Sequence, residues 1–202
     1  MHISEGVLSG FVLASGAIFA IAGVAFGLKK TSYEKIPEVA VLTSAFFIAS
    51  LIHIPIGPAS IHLVLNGIAG ILLGWSVFPA ILVGLSLQAL FFQFGGFTTL
   101  GVNTFNMAFP AIISFLVFKT MAKYHKKNIL VIAGFICGML GIAGGTFLVA
   151  VSLLTTGEAF LPVAKILIIS HLPVMIIEGV ITAMVIGFLQ KVSPELLPGR
   201  EV

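Results

Sequence analysis

The sequence predicts an all-α integral membrane protein of about seven transmembrane helices, folded as a single domain over residues 1–202. Of its residues 59% are hydrophobic and only 8% are charged, whereas soluble domains carry about 25% charged residues. From Val39 to Phe118 there is no Asp, Glu, Lys or Arg, a stretch of 80 residues. At roughly 20 residues per crossing this stretch spans a bilayer about four times. A soluble globular fold is therefore excluded.

The apolar runs are predicted to be helices, because backbone groups in lipid must form their hydrogen bonds internally. The first helix covers 6–28 and ends at the charged segment 29–38. The long uncharged block is divided at its prolines and glycines, and Gly95-Gly96 opens a loop over 95–101. The remaining helices are predicted at 38–54, 60–74, 78–94, 103–121, 128–154 and 165–190.

The distribution of positive charge predicts the orientation. Seven crossings put the two termini on opposite sides, and lysine and arginine concentrate in cytoplasmic segments. With the N-terminus outside, Lys165 is the one outer cation and the other nine are inside: Lys29, Lys30, Lys35, Lys119, Lys123, Lys126, Lys127, Lys191 and Arg200. We therefore expect an outer N-terminus and a cytoplasmic C-terminus. Residues 1–6 carry no Lys or Arg, unlike a signal peptide, so we expect the N-terminus to be retained.

The polar side chains within the membrane are predicted to gather on the outer side. Under this topology the outer half holds His2, His53, His62, Gln88, Gln93, Asn103, Asn106 and His171. His125 lies on the inner side beside two lysines and is expected to be solvated. Ionisable residues are costly in lipid and are candidates for function. The pattern predicts a cup that is open to the outside and has an apolar floor.

Helical spacing groups some of these residues. His62 and Asn66 are four apart, Asn103 and Asn106 three apart, and His171 and Glu178 seven apart, so each pair is expected on one helical face. Amides in a bundle also join helices through hydrogen bonds. For Gln88, Gln93, His53 and His62 the residue types alone therefore leave a structural role and a binding role open.

Met1 and His2 form a candidate metal chelator. The α-amine, the deprotonated amide nitrogen of His2 and its imidazole Nδ1 can close two fused chelate rings in one plane, with an imidazole from elsewhere as the fourth donor. Planar nitrogen ligation suits Ni²⁺ and Cu²⁺, with low-spin Co²⁺ also possible, and disfavours Zn²⁺. Ser4-Glu5-Gly6 is expected to turn this terminus back into the bundle, with Glu5 as a partner for an imidazole.

Four segments in order along the chain resemble one known family. They are residues 1–6 (Met-His-Ile-Ser-Glu-Gly), 57–63 (Gly-Pro-Ala-Ser-Ile-His-Leu), 103–109 (Asn-Thr-Phe-Asn-Met-Ala-Phe) and 171–179 (His-Leu-Pro-Val-Met-Ile-Ile-Glu-Gly). They resemble the CbiM/NikM family, the substrate-binding (S) subunits of energy-coupling-factor cobalt and nickel transporters. One departure is in the second segment, where Gly-Pro-Ala-Ser stands in place of the expected Gly-Thr-Ser or Gly-Thr-Thr before His62.

The resemblance implies a seven-helix fold with the N-terminus tucked into the bundle. It also implies a Co²⁺ or Ni²⁺ ion held by the Met1 amine, the amide and imidazole nitrogens of His2, and the imidazole of His62. Seven further residues are expected to line the vestibule or support the ligands: Glu5, Ser60, Asn66, Asn103, Asn106, His171 and Glu178. The form of the last motif resembles the cobalt branch of the family.

The resemblance further implies ATP-driven import across the cell membrane of a prokaryote, in support of cobalamin biosynthesis. The chain has no G-x-x-x-x-G-K-[ST] phosphate loop. The expected partners are a membrane coupling (T) subunit, a pair of cytoplasmic ATPases and, as a further candidate, a small accessory membrane protein. No catalytic cofactor and no nucleic acid are expected.

Three alternatives remain at this stage. One is a nickel-specific homologue, since both ions accept the same donors. A second is an intramembrane metalloenzyme, for which His171 and Glu178 would have to provide the chemistry. A third is a passive cation channel, which requires polar residues through both leaflets.

Overall fold

The computed structural model describes residues 1–51, 53–56, 59–124 and 126–199, with the backbone alone at 53, 55, 56 and 59–61. Within these ranges the chain forms seven α-helices and one short hairpin. The helices are α1 (Gly10–Lys30), α2 (Ile36–Ala49), α3 (Asn66–Leu73), α4 (Val77–Phe92), α5 (Leu100–Ala122), α6 (Lys127–Thr156) and α7 (Leu161–Val192). The strands are β1 (His53–Ile56) and β2 (Ala59–His62).

The predicted class, a helical multi-pass membrane protein, is confirmed. Five segments of the described chain are long and apolar enough to cross a bilayer: Gly10–Lys30, Asn66–Phe92, Leu100–Ala122, Lys127–Thr156 and Glu158–Val192. The short helix α3 and α4 together make up one of them, through a turn at Gly74–Ser76. At 14 residues α2 is shorter than the roughly 20 that a crossing needs. Seven crossings and the orientation of the termini stay predictions.

The predicted helices 38–54 and 60–74 are wrong at the ends where they approach each other. There the chain forms an antiparallel hairpin in which His53 pairs with His62 and Ile56 with Ala59. Pro55 lies inside β1 and lacks the N–H that a helix would need. His62 therefore lies on a strand and Asn66 begins α3, so the expectation that they share one helical face is also wrong.

The short helix α3 lies in the middle of the protein, with nearly all of its residues buried. Two glycines allow this close packing. A Cβ at Gly67 would lie 2.7 Å from the carbonyl oxygen of Cys137 on α6. At Gly70 it would collide with the carbonyl oxygen of Ala111 on α5. Backbone contact on two sides fixes α3, and with it the segment 62–66 that leads into it.

The first nine residues run into the bundle as an extended segment ahead of α1. Met1 and Ile3 are fully buried, which confirms that the N-terminus is tucked in. The chain turns at Glu5 and Gly6, where Gly6 has a φ of 75°. This is a left-handed conformation that favours glycine, and it agrees with the turn expected at Ser4-Glu5-Gly6.

Replacing Gly70 by alanine should destabilise the protein, by about 1–3 kcal/mol for an overpacked contact. The added methyl group would meet the main chain of α5, which cannot move aside as a flexible side chain can. Thermal unfolding in detergent measures the effect. Gly10→Ala is the matched control, because a Cβ there has nothing within 4 Å. Equal melting temperatures for the two variants would contradict the close packing of α3.

Candidate metal centre

The side chain of Met1 is seated between α5 and α6. Its Sδ lies 3.5 Å from the hydroxyl of Thr146. A Cβ at Gly145 would collide with the Met1 Cε and lie 3.4 Å from the main-chain oxygen of Asn106. The absence of a side chain at Gly145 therefore makes the room that Met1 fills. Gly145 and Thr146 were not among the predicted site residues, although Gly141 and Gly145 have the G-x-x-x-G spacing of a close helix contact.

Asn103 holds the N-terminal segment in place through the main chain of Ile3. The N–H of Ile3 donates to Oδ1 of Asn103 over 2.9 Å, and Nδ2 of Asn103 donates to the Ile3 carbonyl over 3.1 Å. Nδ2 also donates to the hydroxyl of Thr99 over 3.2 Å. One buried amide thus satisfies both backbone groups of a buried residue, as burial requires. Asn103 was predicted to support the ligands; it fixes the residue that follows His2, and its role in metal binding stays a prediction.

Glu5 fastens the same segment to the loop before α5. Its N–H donates to the carbonyl of Gly95 over 3.2 Å, and its carboxylate accepts from the N–H of Thr98 over 2.9 Å. The expected bond from Glu5 to an imidazole is replaced by this loop contact. Gly95 and Gly96, predicted only as a loop, form the seat of the N-terminal segment: a Cβ at Gly95 would lie 3.0 Å from Nδ2 of Asn103.

His2 and His62 meet inside the protein. Both side chains are 3% exposed. Their ring centroids are 4.5 Å apart and their planes lie within 14° of parallel. The ring of Phe94 also lies near the ring of His2, with their centroids 6.3 Å apart. Residues 60 apart in the sequence are thereby brought into direct contact beside the buried Met1.

The hydrogen bond of His62 fixes which of its nitrogens is available. Its Nδ1 lies 2.7 Å from the carbonyl oxygen of Leu63. Because a carbonyl can only accept, Nδ1 carries the proton and Nε2 keeps the lone pair. Nε2 is buried and has no hydrogen-bond partner among the described residues. A histidine oriented in this way is typical of a metal ligand.

Burial disfavours the charged forms of the Met1 α-amine and of His62. It lowers the pKa of the Met1 α-amine well below its usual value. The pKa of His62 is also lowered well below its usual value, first by burial and then by the Met1 amine and His2, with a smaller contribution from His171. Met1 precedes α1 and His62 lies on β2, outside the membrane-spanning helices. A lowered pKa means that the neutral nitrogen, the form that binds a metal, persists to lower pH.

Glu178 supports the turn that follows His62. Its Oε1 accepts hydrogen bonds from the N–H of Val64 over 2.5 Å and of Leu65 over 2.8 Å. Leu65 has a φ of 57°, which is uncommon for a residue with a side chain. Asn66 completes the support, because its Nδ2 donates to the carbonyls of Met107 and Gly141 over 3.3 and 3.0 Å. The segment after His62 is therefore held from α5, α6 and α7.

The structure describes the other predicted residues to different extents. His171 is fully buried, with Nδ1 2.8 Å from the carbonyl of Leu167. Nδ2 of Asn106 donates to the Ser152 hydroxyl over 3.2 Å, so Asn106 joins α5 to α6. Gln88, left open by the sequence, is buried without a hydrogen-bond partner among the described residues. Ser60 and His53 are described only by their backbone pairing, and His125 lies outside the described residues.

Side chains alone do not supply a complete metal site. In the described part of the chain no three His, Cys, Asp or Glu side chains converge to hold an ion. Among the described residues two imidazoles meet, beside the main chain of Met1 and His2. Fold and cluster together define the class: a multi-pass membrane protein that closes a buried, nitrogen-rich cluster with its own first residues.

Comparison with known proteins identifies the family. The chain belongs to the CbiM family, since the family's model, the cobalt uptake substrate-specific transmembrane region, matches residues 2–196. A protein of Haemophilus influenzae named for metal transport is 43% identical, over 100% of this chain and 98% of the relative. A protein of Archaeoglobus fulgidus named for fused nickel transport, NikMN, is 27% identical over 98% of this chain and 68% of its own length. The crystal structure of a transition metal transporter superposes with a TM-score of 0.82 at 28% identity, over 95% of this chain and 93% of that one.

Membership confirms the predicted resemblance and the coarse function. The chain is a substrate-specific membrane component for the uptake of a transition metal, cobalt or nickel. The family is one of metal transporter components, and this membership favours transport over the metalloenzyme alternative built on His171 and Glu178.

Replacing Asn103 by alanine should release the N-terminal segment, because the two main-chain groups of Ile3 would lose their partner. We expect the α-amine of Met1 to react faster with an amine-directed reagent in Asn103→Ala than in the unchanged protein. Mass spectrometry of the N-terminal peptide measures the labelling. Asn106→Ala is the matched control, since it removes a buried amide one turn along α5 that bonds to Ser152 instead. Equal labelling of the two variants would show that Asn103 does not hold the segment.

Proposed function

We propose that this chain captures Co²⁺ or Ni²⁺ with four nitrogens: the α-amine of Met1, the amide and imidazole nitrogens of His2, and Nε2 of His62. The observation that carries the proposal is the burial of Met1 beside two imidazole rings whose centroids are 4.5 Å apart. Metal–imidazole bonds are about 2.0–2.1 Å long, so rings at this separation can share one ion. The protonation of Nδ1 in His62 supports the role of Nε2.

The donor set determines the kind of metal. Two fused chelate rings from Met1 and His2 impose a planar arrangement, to which His62 adds the fourth nitrogen. Planar nitrogen ligation suits Ni²⁺ and Cu²⁺ and, in the low-spin form, Co²⁺, and it disfavours the tetrahedral preference of Zn²⁺. The family's link to cobalt uptake and the nickel transport name of one relative favour Co²⁺ and Ni²⁺ over copper. The metal is the transported substrate in this proposal.

The same proposal assigns the chain to an energy-coupling-factor importer. It works there with a membrane coupling subunit and a pair of cytoplasmic ATPases that supply the energy, and a small accessory membrane protein is a further candidate partner. The metal enters from the outer side, and the imported ion serves cobalamin biosynthesis. The family and the absence of a phosphate loop from the sequence support this assignment.

Extending the chain by one alanine ahead of Met1 should abolish tight binding of Co²⁺ and Ni²⁺. The extension turns the α-amine into an amide and moves the new amine out of the chelate. We expect at least a tenfold loss of affinity, which corresponds to about 1.4 kcal/mol, measured as metal content of purified protein after equilibrium dialysis. One alanine added after Val202 is the control. Retained metal in the N-terminally extended protein would contradict the proposed donor set.

His62→Ala tests the fourth donor independently. We expect it to lose tight metal binding while the melting temperature without metal stays close to that of the unchanged protein. His125→Ala serves as the control, because the sequence predicts that histidine to be solvated on the inner side. Equal metal content in both variants would remove His62 from the site.

Glu178 is expected to act on the metal through the turn that it holds. Glu178→Gln keeps an oxygen that can accept from Val64 and Leu65, whereas Glu178→Ala leaves both N–H groups without it. We therefore expect metal affinity close to that of the unchanged protein in the Gln variant and a loss of about tenfold or more in the Ala variant, since hydrogen bonds to charged groups contribute about 1.5–3 kcal/mol. Isothermal titration with Ni²⁺ measures both. If Glu178→Gln lost as much affinity as Glu178→Ala, its negative charge and not its acceptor oxygen would be required.

A further inference from the structure

A cavity lies far from the pair of imidazoles, at the opposite end of α1. Its volume is about 620 Å³, which is within the range of about 300–1,000 Å³ typical of small-ligand sites. It is lined by the end of α1, the turn between α3 and α4, part of α5, and the segment 195–199. Because α1 has 21 residues and rises 1.5 Å per residue, the cavity is about 30 Å from the residues that precede this helix.

The charge of the cavity is concentrated and positive. Lys30, Lys35 and Lys119 line it from three different elements, and among the described lining residues Glu195 is the one carboxylate. The Nζ of Lys30 lies 5.7 Å from the ring centre of Phe26, and the Nζ of Lys119 lies 5.9 Å from that of Phe115. Such contacts hold the stems of the lysines against apolar surface while the ammonium groups stay accessible. Three cations against one anion favour an anionic occupant.

Apart from Ser76, the rest of the wall is apolar. Its larger side chains are Leu72, Leu73, Trp75, Phe115, Leu196 and Leu197. Trp75 packs its ring edge-on against Phe26, with centroids 4.6 Å apart, and tryptophan is enriched where a membrane meets water. A wall of this kind suits a molecule that joins an anionic group to an apolar part, and it offers little to a fully solvated ion.

Packing around the turn between α3 and α4 fixes the shape of the cavity. Gly74 has a φ of 55°, and a Cβ there would lie 3.4 Å from the ring of Phe115. The hydroxyl of Thr31 donates to that of Ser76 over 2.8 Å. A Cβ at Gly27 would lie 2.5 Å from the carbonyl oxygen of Trp75. The end of α1 is therefore in backbone contact with the turn, and the wall is part of the fold.

We infer that this cavity binds the phosphate group of an anionic membrane phospholipid, with the three lysines around the phosphate and the apolar wall along the glycerol and first acyl carbons. Lys30 and Lys119 belong to α1 and α5, two of the helices long enough to cross the bilayer, so the cavity lies where such helices leave the hydrocarbon. Basic pockets at the ends of membrane helices bind anionic headgroups. The mixed wall favours a lipid over a free phosphate ion or an acidic peptide.

The test compares two variants that lose the same charge. The cavity variant is Lys30→Gln, Lys35→Gln and Lys119→Gln combined. The control variant is Lys123→Gln, Lys126→Gln and Lys127→Gln, three cations near the end of α5 and the start of α6 that do not line the cavity. The full chain is purified in detergent, and native mass spectrometry counts bound dioleoyl phosphatidylglycerol, with phosphatidylcholine as the neutral comparison.

We expect the unchanged protein and the control variant to retain phosphatidylglycerol at least tenfold more than phosphatidylcholine, and the cavity variant to lose this preference. Equal losses in both variants would overturn the proposal, because the lipid would then respond to surface charge in general. Displacement of the lipid by millimolar inorganic phosphate would also overturn it and make free phosphate the occupant. Retention of a glutamate-rich peptide without any preference for phosphatidylglycerol would overturn it in favour of an acidic protein segment.

The melting temperatures of the same samples distinguish a loss of lipid binding from a folding defect. The three lysines are exposed, so the cavity variant should melt within a few degrees of the control when no lipid is present. If it does not, the single variant Lys119→Gln replaces it and is compared with Lys123→Gln. A single substitution that leaves lipid retention unchanged would overturn the proposal.

Discussion

Burying Met1 removes the main chain of the first residues from water, so their polar atoms must find partners inside the protein. The amide of Asn103 meets this requirement for Ile3, and the loop at Gly95 meets it for Glu5. Once these bonds are made, the imidazole of His2 has little choice of position. The glycine at 145 leaves the space that Met1 fills. The site therefore depends first on the hydrogen bonds of a few backbone groups, because these bonds determine where the imidazole of His2 lies.

The ring of His62 is positioned in a different way. His62 ends a hairpin instead of lying on a helix, and buried backbone outside a helix has to find its hydrogen-bond partners elsewhere in the protein. Glu178 accepts hydrogen bonds from the N–H groups of Val64 and Leu65, which lie in the turn between the hairpin and α3. Asn66 ties the start of α3 to α5 and α6. The left-handed Leu65 is the strained residue that this support has to maintain. Interrupting the helix thus allows the His62 ring to approach the N-terminus.

The sequence predicted some parts of this structure well, for physical reasons. The helix predicted at 103–121 is α5, Leu100–Ala122, because a long apolar run between a glycine loop and a basic segment has one stable form in lipid. The hairpin was missed because that same rule extended one helix to residue 54 and began the next at 60, so that Pro55 was taken as a break between two helices and not as part of a strand. Met1, His2 and His62 were predicted as ligands from chemistry and resemblance. The bond from Asn103 to Ile3 joins residues 100 apart in the sequence, and no local pattern encodes such a contact.

The two imidazoles are carried by different parts of the bundle, which bears on how a captured ion could be released. The segment of His2 is held by α5 and the loop before it, through Asn103 and Thr98. The turn after His62 is held by α7, through Glu178. The start of α3 just after this turn is also tied to α5 and α6 through Asn66, so α5 takes part in the support of both rings. Because packed interiors have discrete arrangements and do not deform continuously, the two rings are held at a fixed separation. Drawing them apart to release an ion would therefore cost hydrogen bonds at Asn103, Asn66 or Glu178.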